Sequence, residues 1–197
     1  MQNYILLIVI GYLIGSIPFS FIVGKLLSDI DIREHGSGNA GATNAFRVLG
    51  LKGGLLSFIG DFSKGVLAVL IGKYILGLDG GLLTGLVAVI GHCYPITLNF
   101  KGGKGVATSA GIIIAVNPIM GLILIVFQFS IVYFTKYVSL ASILAALLFP
   151  ILSLIFKMEN NFIVLSIFLA LFITYRHRTN IKRLLNGTES KFKKSNN

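Results

Sequence analysis

The chain has 197 residues, of which 55% are hydrophobic and 12% are charged, and its mean hydropathy is +0.87. Because a soluble domain carries about 25% charged residues, this composition excludes a water-facing globule and predicts an all-α integral membrane protein. The formal net charge is +10, but the cations cluster in the gaps between apolar runs. That pattern argues against a nucleic-acid partner and favours membrane orientation and anionic headgroups or substrates.

Seven apolar stretches follow one another along the chain, and each is a candidate for the roughly 20-residue helix that crosses a membrane. They are Tyr4–Val23, Gly54–Leu76, Leu82–Leu98, Val106–Val116, Ile119–Phe134, Val138–Phe156 and Phe162–Tyr175. The fourth is short, and the turn signal Asn117-Pro118 separates it from the fifth. If the fourth and fifth do not both cross, five spans remain and each terminus keeps its side.

The distribution of positive charge predicts the orientation. Met1-Gln2-Asn3 carries no Lys or Arg, whereas Lys25 follows the first span, which is the reverse of a secretory signal peptide. We therefore expect a retained first helix, an outside N-terminus and a cytoplasmic C-terminus. The outside segments then keep only Lys157, with Lys73 near an outer helix end. This reading predicts one membrane domain over residues 1–190, a basic tail over 191–197, and chemistry on the cytoplasmic face.

The first polar stretch on that face reads GSGNAGATN over residues 36–44, and Arg47 lies just beyond it. Small residues allow the backbone to approach a ligand closely, and the Ser, Thr and Asn side chains supply hydroxyl and amide groups. A helix that begins near Thr43 would also offer free N–H groups to an anion. A flexible turn with ordinary helix caps explains the same composition.

The second polar stretch reads GHCYPITLNFKGGKGVAT over residues 91–108. Gly102, Gly103 and Gly105 are able to take positive φ, so that neighbouring N–H groups converge on an anion, and Lys101 and Lys104 add charge. The order of residues does not fit a P-loop, and no strand precedes it. The alternative is a positively charged cytoplasmic loop in which the glycines only mark turns.

Asp61, Lys64 and His92 are ionisable and fall inside the apolar spans, where such groups are functional candidates by default. His92 lies about 12 Å from Lys101 if the residues between them are helical. Asp61 and Lys64 are three residues apart, which suits a pair on a helix surface. For these two residues we favour structural pairing over catalysis, and a buried hydrogen-bonded histidine remains the alternative for His92.

The third polar stretch covers residues 175–189 and fits a helix that leaves the membrane and ends near Gly187. His177 and Asn180 are i,i+3 neighbours, while Arg176, Asn180 and Arg183 are spaced to share one face. A basic tail on acidic lipid headgroups explains the lysines after this stretch but requires neither His177 nor Asn180. Two further hydroxyls, those of Ser139 and Ser142, begin the sixth span, where packing is their usual role.

Taken together and in this order, the three stretches resemble the bacterial acyl-phosphate:glycerol-3-phosphate acyltransferase family, PlsY. The resemblance covers the whole chain up to the final tail residues and extends to the segment Lys136–Ser142. It implies a seven-span inner-membrane enzyme with an outside N-terminus. It implies transfer of a fatty acyl group from acyl phosphate to the 1-hydroxyl of glycerol 3-phosphate, which gives lysophosphatidic acid and phosphate. It also implies no metal, no cofactor, no acyl-CoA or acyl-carrier-protein donor, and a separate acyl-phosphate synthase as a functional partner.

The residue types and the resemblance together predict the site. Lys104 and Arg47 are expected to hold phosphate and stabilise developing charge, while His177 and Asn180 position the substrate. The predicted substrate-binding residues are Ser37, Gly38, Asn39, Thr43, Asn44, His92, Lys101, Gly102, Gly103, Gly105, Ser142, Arg176 and Arg183.

The proton of the attacking hydroxyl needs an acceptor. His92, His177, Asp61 and, more weakly, His35 are candidate bases, but the donor's own phosphate oxygen also suffices. We favour that substrate-assisted route, because the three stretches are rich in donors and cations and poor in bases.

Two other functions remain open on the sequence alone. One is a transporter or channel for an organic phosphate, which would need polar residues at the membrane midplane and on both faces. The other is a structural membrane protein that binds headgroups. It gives no reason for the Ser, Asn and His residues of the three stretches.

Overall fold

A computed structural model describes residues 1–192, so Lys193 and Lys194 of the predicted tail lie outside the described residues. Within 1–192 the chain forms α-helices and short 3-10 turns, and contains no strand. The helices are α1 (Gln2–Gly15), α2 (Phe19–Ser28), α3 (Ala42–Cys93), α4 (Val106–Val116), α5 (Pro118–Thr135), α6 (Val138–Ile155), α7 (Asn160–Arg176) and α8 (Arg178–Leu185).

Four helical stretches of the described chain are long and apolar enough to cross a membrane. They are Gln2–Ser28, Ala42–Leu98, Pro118–Thr135 and Val138–Ile155. The pair α7 and α8, bent by 59° at its junction, makes a fifth if it counts as one span, and Val106–Val116 is a shorter apolar helix. Many large apolar side chains on these helices are exposed, as expected for a surface that meets lipid rather than water.

The chain divides into two compact units, of which the first comprises Met1–Val116 and the second begins at Asn117. In the first unit, α3 is interrupted at Gly50 and at Leu76-Gly77, where the backbone leaves helical geometry. Both glycines have positive φ, which disfavours other residues there. The helical segments are therefore 42–49, 51–75 and 78–93. The outside loop predicted at Gly77–Gly81 is too long, because the chain is already helical again at residue 78.

Small residues let the helices of the first unit approach closely. A Cβ on Gly72 would collide with the backbone of Gly80, so segments 51–75 and 78–93 run back along each other as a hairpin. In the same way, Gly15 of α1 meets the backbone of Ala88, and Gly65 meets the backbone of α4. Close backbone approach through small residues is a common basis of helix association in lipid.

The predicted helix over Leu82–Leu98 is wrong at its C-terminal end, because the helix stops at Cys93. Tyr94 precedes Pro95, and a residue before proline is disfavoured in helical geometry. A 3-10 turn over Ile96–Leu98 follows instead.

In the second unit, the Asn117-Pro118 signal was correct as a helix boundary. The side chain of Asn117 accepts a hydrogen bond from the backbone N–H of Met120 at 3.0 Å and caps α5. The rings of Phe149 on α6 and Phe162 on α7 meet edge to face at 5.5 Å between centroids, in a buried contact. The ring contact packs α6 against α7.

Candidate active site

Arg33 connects two loops of the first unit, which we call the first loop (residues 29–41) and the glycine loop (residues 94–105). Its guanidinium contacts Asp31 twice, with Nη2–Oδ2 at 2.7 Å and Nε–Oδ1 at 3.0 Å. Nη1 donates to the carbonyl of Leu98 in the glycine loop at 3.3 Å. The hydrogen bond from Arg33 holds the pKa of the Asp31 carboxyl below its usual value. The first loop is therefore tied to the glycine loop by a pair that stays ionised near neutral pH.

Asn44 lies buried at the start of α3 and organises the first loop. Its Oδ1 accepts from the backbone N–H of Ser37 at 2.7 Å and from the Ser37 hydroxyl at 3.1 Å. Its Nδ2 donates to the carbonyls of Ile32 and His35 at 2.9 and 3.0 Å. These four bonds occupy the amide's two donors and both sides of its oxygen. In the structure the Asn44 side chain therefore shapes the first loop, and direct substrate binding by Asn44 stays a prediction.

Several polar residues are accessible in the first loop and on the first turns of α3. Ser37 and Gly38 are exposed, and Asn39 is half-buried with its Nδ2 at 3.5 Å from the carbonyl of Gly102. Thr43 and Arg47 are half-buried on the first two turns of α3. All of these side chains but Gly38 carry donors suited to phosphate oxygens.

The glycine loop folds back on the end of α3, and this overturns part of the predicted anion nest. Gly102 donates its N–H to the carbonyl of Cys93 at 3.2 Å, and Gly103 donates to that of His92 at 3.0 Å. Of the three glycines, only Gly105 has positive φ. A Cβ on Gly102 or Gly103 would collide with His92, so these two positions need glycine for close packing.

The start of α4 and Lys104 place further donors near the glycine loop. Gly105 directly precedes α4 and accepts the N–H of Ser109 at 2.8 Å. The first N–H groups of a helix lack intrahelical acceptors, and its dipole favours an anion there. Lys104 is half-buried beside this helix start, whereas Lys101 is exposed. Together they present a cationic side chain next to a helix N-terminus.

Asp61, Lys64 and His92 form a buried cluster in the first unit. Lys64 Nζ lies 2.9 Å from Asp61 Oδ1, so the predicted pairing exists, but it is buried rather than on the helix surface. His92 Nδ1 lies 3.3 Å from the same oxygen. The helical distance of about 12 Å from His92 to Lys101 does not apply, because the helix ends between them at Cys93.

Glu189 organises the second unit's polar residues. Its Oε1 accepts from Ser139 on α6 and from Asn180 on α8, both at 2.7 Å, and Oε2 accepts from Arg183 Nε at 2.7 Å. Burial by itself raises the pKa of the Glu189 carboxyl, but the hydrogen bonds from Arg183, Ser139 and Asn180 outweigh it and lower the pKa below its usual value. The carboxylate thus holds α8 against the start of α6.

His177 lies at the junction of α7 and α8, where the chain bends by 59°. Its Nδ1 is 2.8 Å from the carbonyl of Ile173. A carbonyl only accepts, so Nδ1 carries the proton, and Nε2 of the neutral ring is an acceptor. Arg176 ends α7 before the bend, so the predicted shared face of Arg176, Asn180 and Arg183 is wrong for Arg176.

Ser142, predicted to bind substrate, is buried in α6. Its hydroxyl donates to the carbonyl of Val138 at 2.9 Å and accepts from Gln128 Nε2 at 3.4 Å. Both contacts lie within the helices of the second unit. They suit the packing role that small hydroxyl residues usually have between membrane helices.

A family model described as glycerol-3-phosphate acyltransferase matches residues 5–187. The chain belongs to this acyltransferase family. It is 48% identical over 187 residues to the glycerol-3-phosphate acyltransferase of Thermoanaerobacter sp. (strain X514), covering 95% of this chain and 94% of the relative. It is 47% identical over 189 residues to that of Bacillus subtilis (strain 168), covering 95% and 97%.

Solved structures of the acyltransferase family share this fold. The crystal structure of PlsY, an integral membrane glycerol 3-phosphate acyltransferase, in its glycerol 3-phosphate form matches with a TM-score of 0.91 and 42% identity, covering 96% of each chain. The lysophosphatidic acid form matches with a TM-score of 0.90 and 41% identity, covering 97% of this chain and 96% of the other. At this identity and coverage, the helix order described above is that of the family.

Sequence reasoning gave no role to two organising residues of this acyltransferase: Glu189, which it counted only as the end of the third polar stretch, and Arg33. Glu189 carried a usable signal, because it is the only acidic residue between 160 and 197, in a segment rich in Lys and Arg. For Arg33, the sequence could indicate only a local ion pair with Asp31, two residues earlier. Its contact with Leu98 joins residues 65 positions apart, which no local pattern encodes.

Proposed function

We propose that this chain transfers a fatty acyl group from an acyl phosphate to the 1-hydroxyl of sn-glycerol 3-phosphate, giving lysophosphatidic acid and inorganic phosphate. The observation that carries the proposal is the close match to PlsY. Its two solved structures are named as the glycerol 3-phosphate form and the lysophosphatidic acid form, which correspond to the acceptor and the product of this reaction. Membership of an acyltransferase family gives no support to the transporter alternative.

The chemistry of the first unit supports two phosphate-bearing substrates. An acyl phosphate and glycerol 3-phosphate each present anionic oxygens that need cations and N–H donors. Lys104, Arg47, the exposed first-loop residues and the start of α4 supply both kinds of group. We assign phosphate binding to them, with Lys101, which is exposed, in an auxiliary role.

The transfer itself is a direct displacement in this proposal. The 1-hydroxyl oxygen forms a bond to the acyl carbon, the bond from that carbon to the phosphate oxygen breaks, and inorganic phosphate leaves. The hydroxyl proton passes to an oxygen of the departing phosphate. Lys104 and Arg47 stabilise the charge that develops on the phosphate, since positioned cations act most strongly where charge appears in the transition state.

His177 and Asn180 position the acceptor in this scheme. The bond from Nδ1 to Ile173 fixes the His177 ring and makes Nε2 the acceptor edge, suited to a hydroxyl group. Asn180 is oriented by its bond to Glu189. Holding two reactants in a productive geometry is worth a large share of an enzymatic rate enhancement.

We also propose seven spans in a bacterial inner membrane, with the N-terminus outside and the site on the cytoplasmic face. The hairpin of segments 51–75 and 78–93 supplies two of these spans, and the short α4 supplies one. The asymmetric distribution of Lys and Arg supports this orientation. A separate acyl-phosphate synthase on the same side would deliver the donor.

The experiment that tests the function uses purified protein in proteoliposomes with labelled glycerol 3-phosphate and either acyl phosphate or acyl-CoA as donor. We expect lysophosphatidic acid and phosphate to form in equal amounts with acyl phosphate and not with acyl-CoA. Label that enters the vesicles without product would instead support a transporter. Product from acyl-CoA alone would overturn the proposed donor.

A further inference from the structure

The buried cluster of Asp61, Lys64 and His92 takes no part in the reaction as proposed above. The exposed fraction of their side chains is 2%, 2% and 6%, respectively. Lys64 also donates to the carbonyl of Ile17 at 2.9 Å, in the break between α1 and α2. Charged groups in a membrane interior are costly unless paired, so a cluster of three ionisable groups is a functional candidate.

A purely structural role would need only part of this cluster. The pair Asp61–Lys64, with the bond to Ile17, neutralises both charges and connects segment 51–75 to the start of the chain. His92 adds nothing to that neutralisation when its ring is neutral. Its presence therefore needs another reason, and the opposite edge of the ring provides one.

The Nε2 edge of His92 lies directly against the glycine loop. A Cβ added to Gly103 would collide with Nε2 and with the neighbouring ring carbon. The backbone of His92 also accepts the N–H of Gly103 at 3.0 Å. His92 is thus in contact with Gly103 through both its ring and its carbonyl, one residue before Lys104.

We propose that Asp61 is a positioning residue that acts on the glycine loop through His92. The Asp61 carboxylate accepts the Nδ1–H of His92 and so fixes the tautomer and the angle of the ring, as carboxylates do for many functional histidines. The fixed ring packs against Gly103 and so determines the position of the Gly103 backbone. That position in turn determines where Lys104 and the start of α4 lie. Lys64 keeps the carboxylate paired and in place.

The proposal rests on the proposed function in one respect, that the glycine loop and Lys104 hold a substrate phosphate. It does not make Asp61 or His92 a catalytic base. Asp61 is buried and acts through the imidazole. A change at Asp61 should therefore weaken phosphate binding more than it slows the chemical step.

The kinetic test compares two double variants in which no charge is left unpaired. In Asp61→Leu with Lys64→Met, the acceptor for His92 is removed. In Asp61→Asn with Lys64→Met, the amide oxygen still accepts the Nδ1–H. We expect the Leu variant to raise the KM for glycerol 3-phosphate or for acyl phosphate about 10-fold or more, in the range that supporting hydrogen-bond partners usually contribute. The kcat should change less than about 3-fold, and the Asn variant should recover most of the KM.

If the Asp61→Leu, Lys64→Met variant had wild-type KM values for both substrates, the proposal would be overturned. The cluster would then have only a structural role. Equal KM defects in the two double variants would overturn it as well, because a retained acceptor would then have no effect. Failure of the wild type to acylate glycerol 3-phosphate would count against the proposed function, and the next measurement addresses the cluster independently of activity.

A spectroscopic measurement remains decisive even if the double variants fail to fold. The His35→Gln, His177→Gln protein carries His92 as its only imidazole. The ¹⁵N shifts and one-bond couplings of its ring report which nitrogen is protonated. We expect a proton on Nδ1, as donation to Asp61 requires. A ring with a bare Nδ1 and a proton on Nε2 alone would overturn the proposal.

Discussion

At the scale of single residues, the cations of the site differ in how their surroundings fix them. Lys104 is half-buried between two buried glycines, whereas Lys101 three residues earlier is exposed. A long side chain loses less conformational entropy on binding when its aliphatic part is already packed. The half-buried Lys104 should therefore contribute more to phosphate binding than Lys101.

Lys104→Ala should lower kcat/KM by about 10- to 150-fold, because a hydrogen bond to a charged group contributes roughly 1.5–3 kcal/mol. Steady-state assays with both substrates measure the effect, and Lys104→Arg should restore part of it. Lys52→Ala is the matched control, since Lys52 is exposed and outside the proposed site. Near-normal activity of Lys104→Ala would move the phosphate role to Lys101 or Arg47.

Substitutions at His177 distinguish a positioning role from a role in proton transfer. If the donor phosphate takes the proton, His177→Gln and His177→Asn should keep measurable activity, because they retain a hydrogen-bonding group without being able to titrate. His177→Ala should lose more. If His177 is the general base, the amide variants should fall as far as alanine, since general-base catalysis contributes about 10²–10⁴-fold. Single-turnover rates with acyl phosphate distinguish these outcomes.

At the scale of elements, the position of α8 depends on one carboxylate. Glu189 joins Ser139 at the start of α6 to Asn180 and Arg183 on α8. The turn that brings Glu189 back begins at Gly187, which has positive φ, and the N–H of Thr188 returns to the carbonyl of Arg183 at 2.8 Å. This is the usual way in which a glycine closes a helix.

Glu189→Gln should lower the melting temperature and the activity together at pH 7. Since the pKa of Glu189 is lowered in the folded protein, its stabilising contribution is complete above the unfolded value near 4.3 and is lost as the pH falls through the folded pKa. The difference in melting temperature between wild type and variant should be constant from about pH 5 to 8 and should shrink below about pH 4. A difference that grows on acidification would contradict this assignment. Asp31→Asn is the control, because it changes a carboxyl outside the second unit whose pKa is also lowered in the folded protein.

The sequence predicted those elements whose signals are local. The boundary at Asn117-Pro118 and the start of α6 at Val138 were correct, because caps and turns are encoded within a few residues. The glycine loop was recognised as a loop but given the wrong geometry, since Gly102 and Gly103 serve packing against His92. The contacts of Asp61 with His92 and of Arg33 with Leu98 join distant positions and follow from helix packing, which periodicity does not specify.

At the scale of the whole molecule, the helices that pass a test of length and composition are fewer than the proposed spans. Only four or five helical stretches of the described chain pass a test of length and composition. One of them, Ala42–Leu98, contains the reversal at Leu76-Gly77, where two helices fold back on each other. In addition, α4 is too short to pass the test. The proposed seven spans therefore depend on the reversal and on α4 crossing a locally thin or shared part of the membrane.

Single cysteines in a Cys93→Ser background test the proposed orientation. Cys93 is buried and is the only native cysteine, so its removal leaves no competing thiol. Cysteines at Asn3 and Asn160 should react with an impermeant maleimide in intact cells, because both lie on the side that carries few cations. Cysteines at Ser37 and Thr188 should react only after permeabilisation, and both positions are exposed enough to do so. Labelling of Ser37 in intact cells would overturn the topology and the cytoplasmic site together. Labelling of Ser37 and Thr188 on opposite sides would instead show that the number of spans between them is odd, which neither the seven-span nor the five-span reading allows.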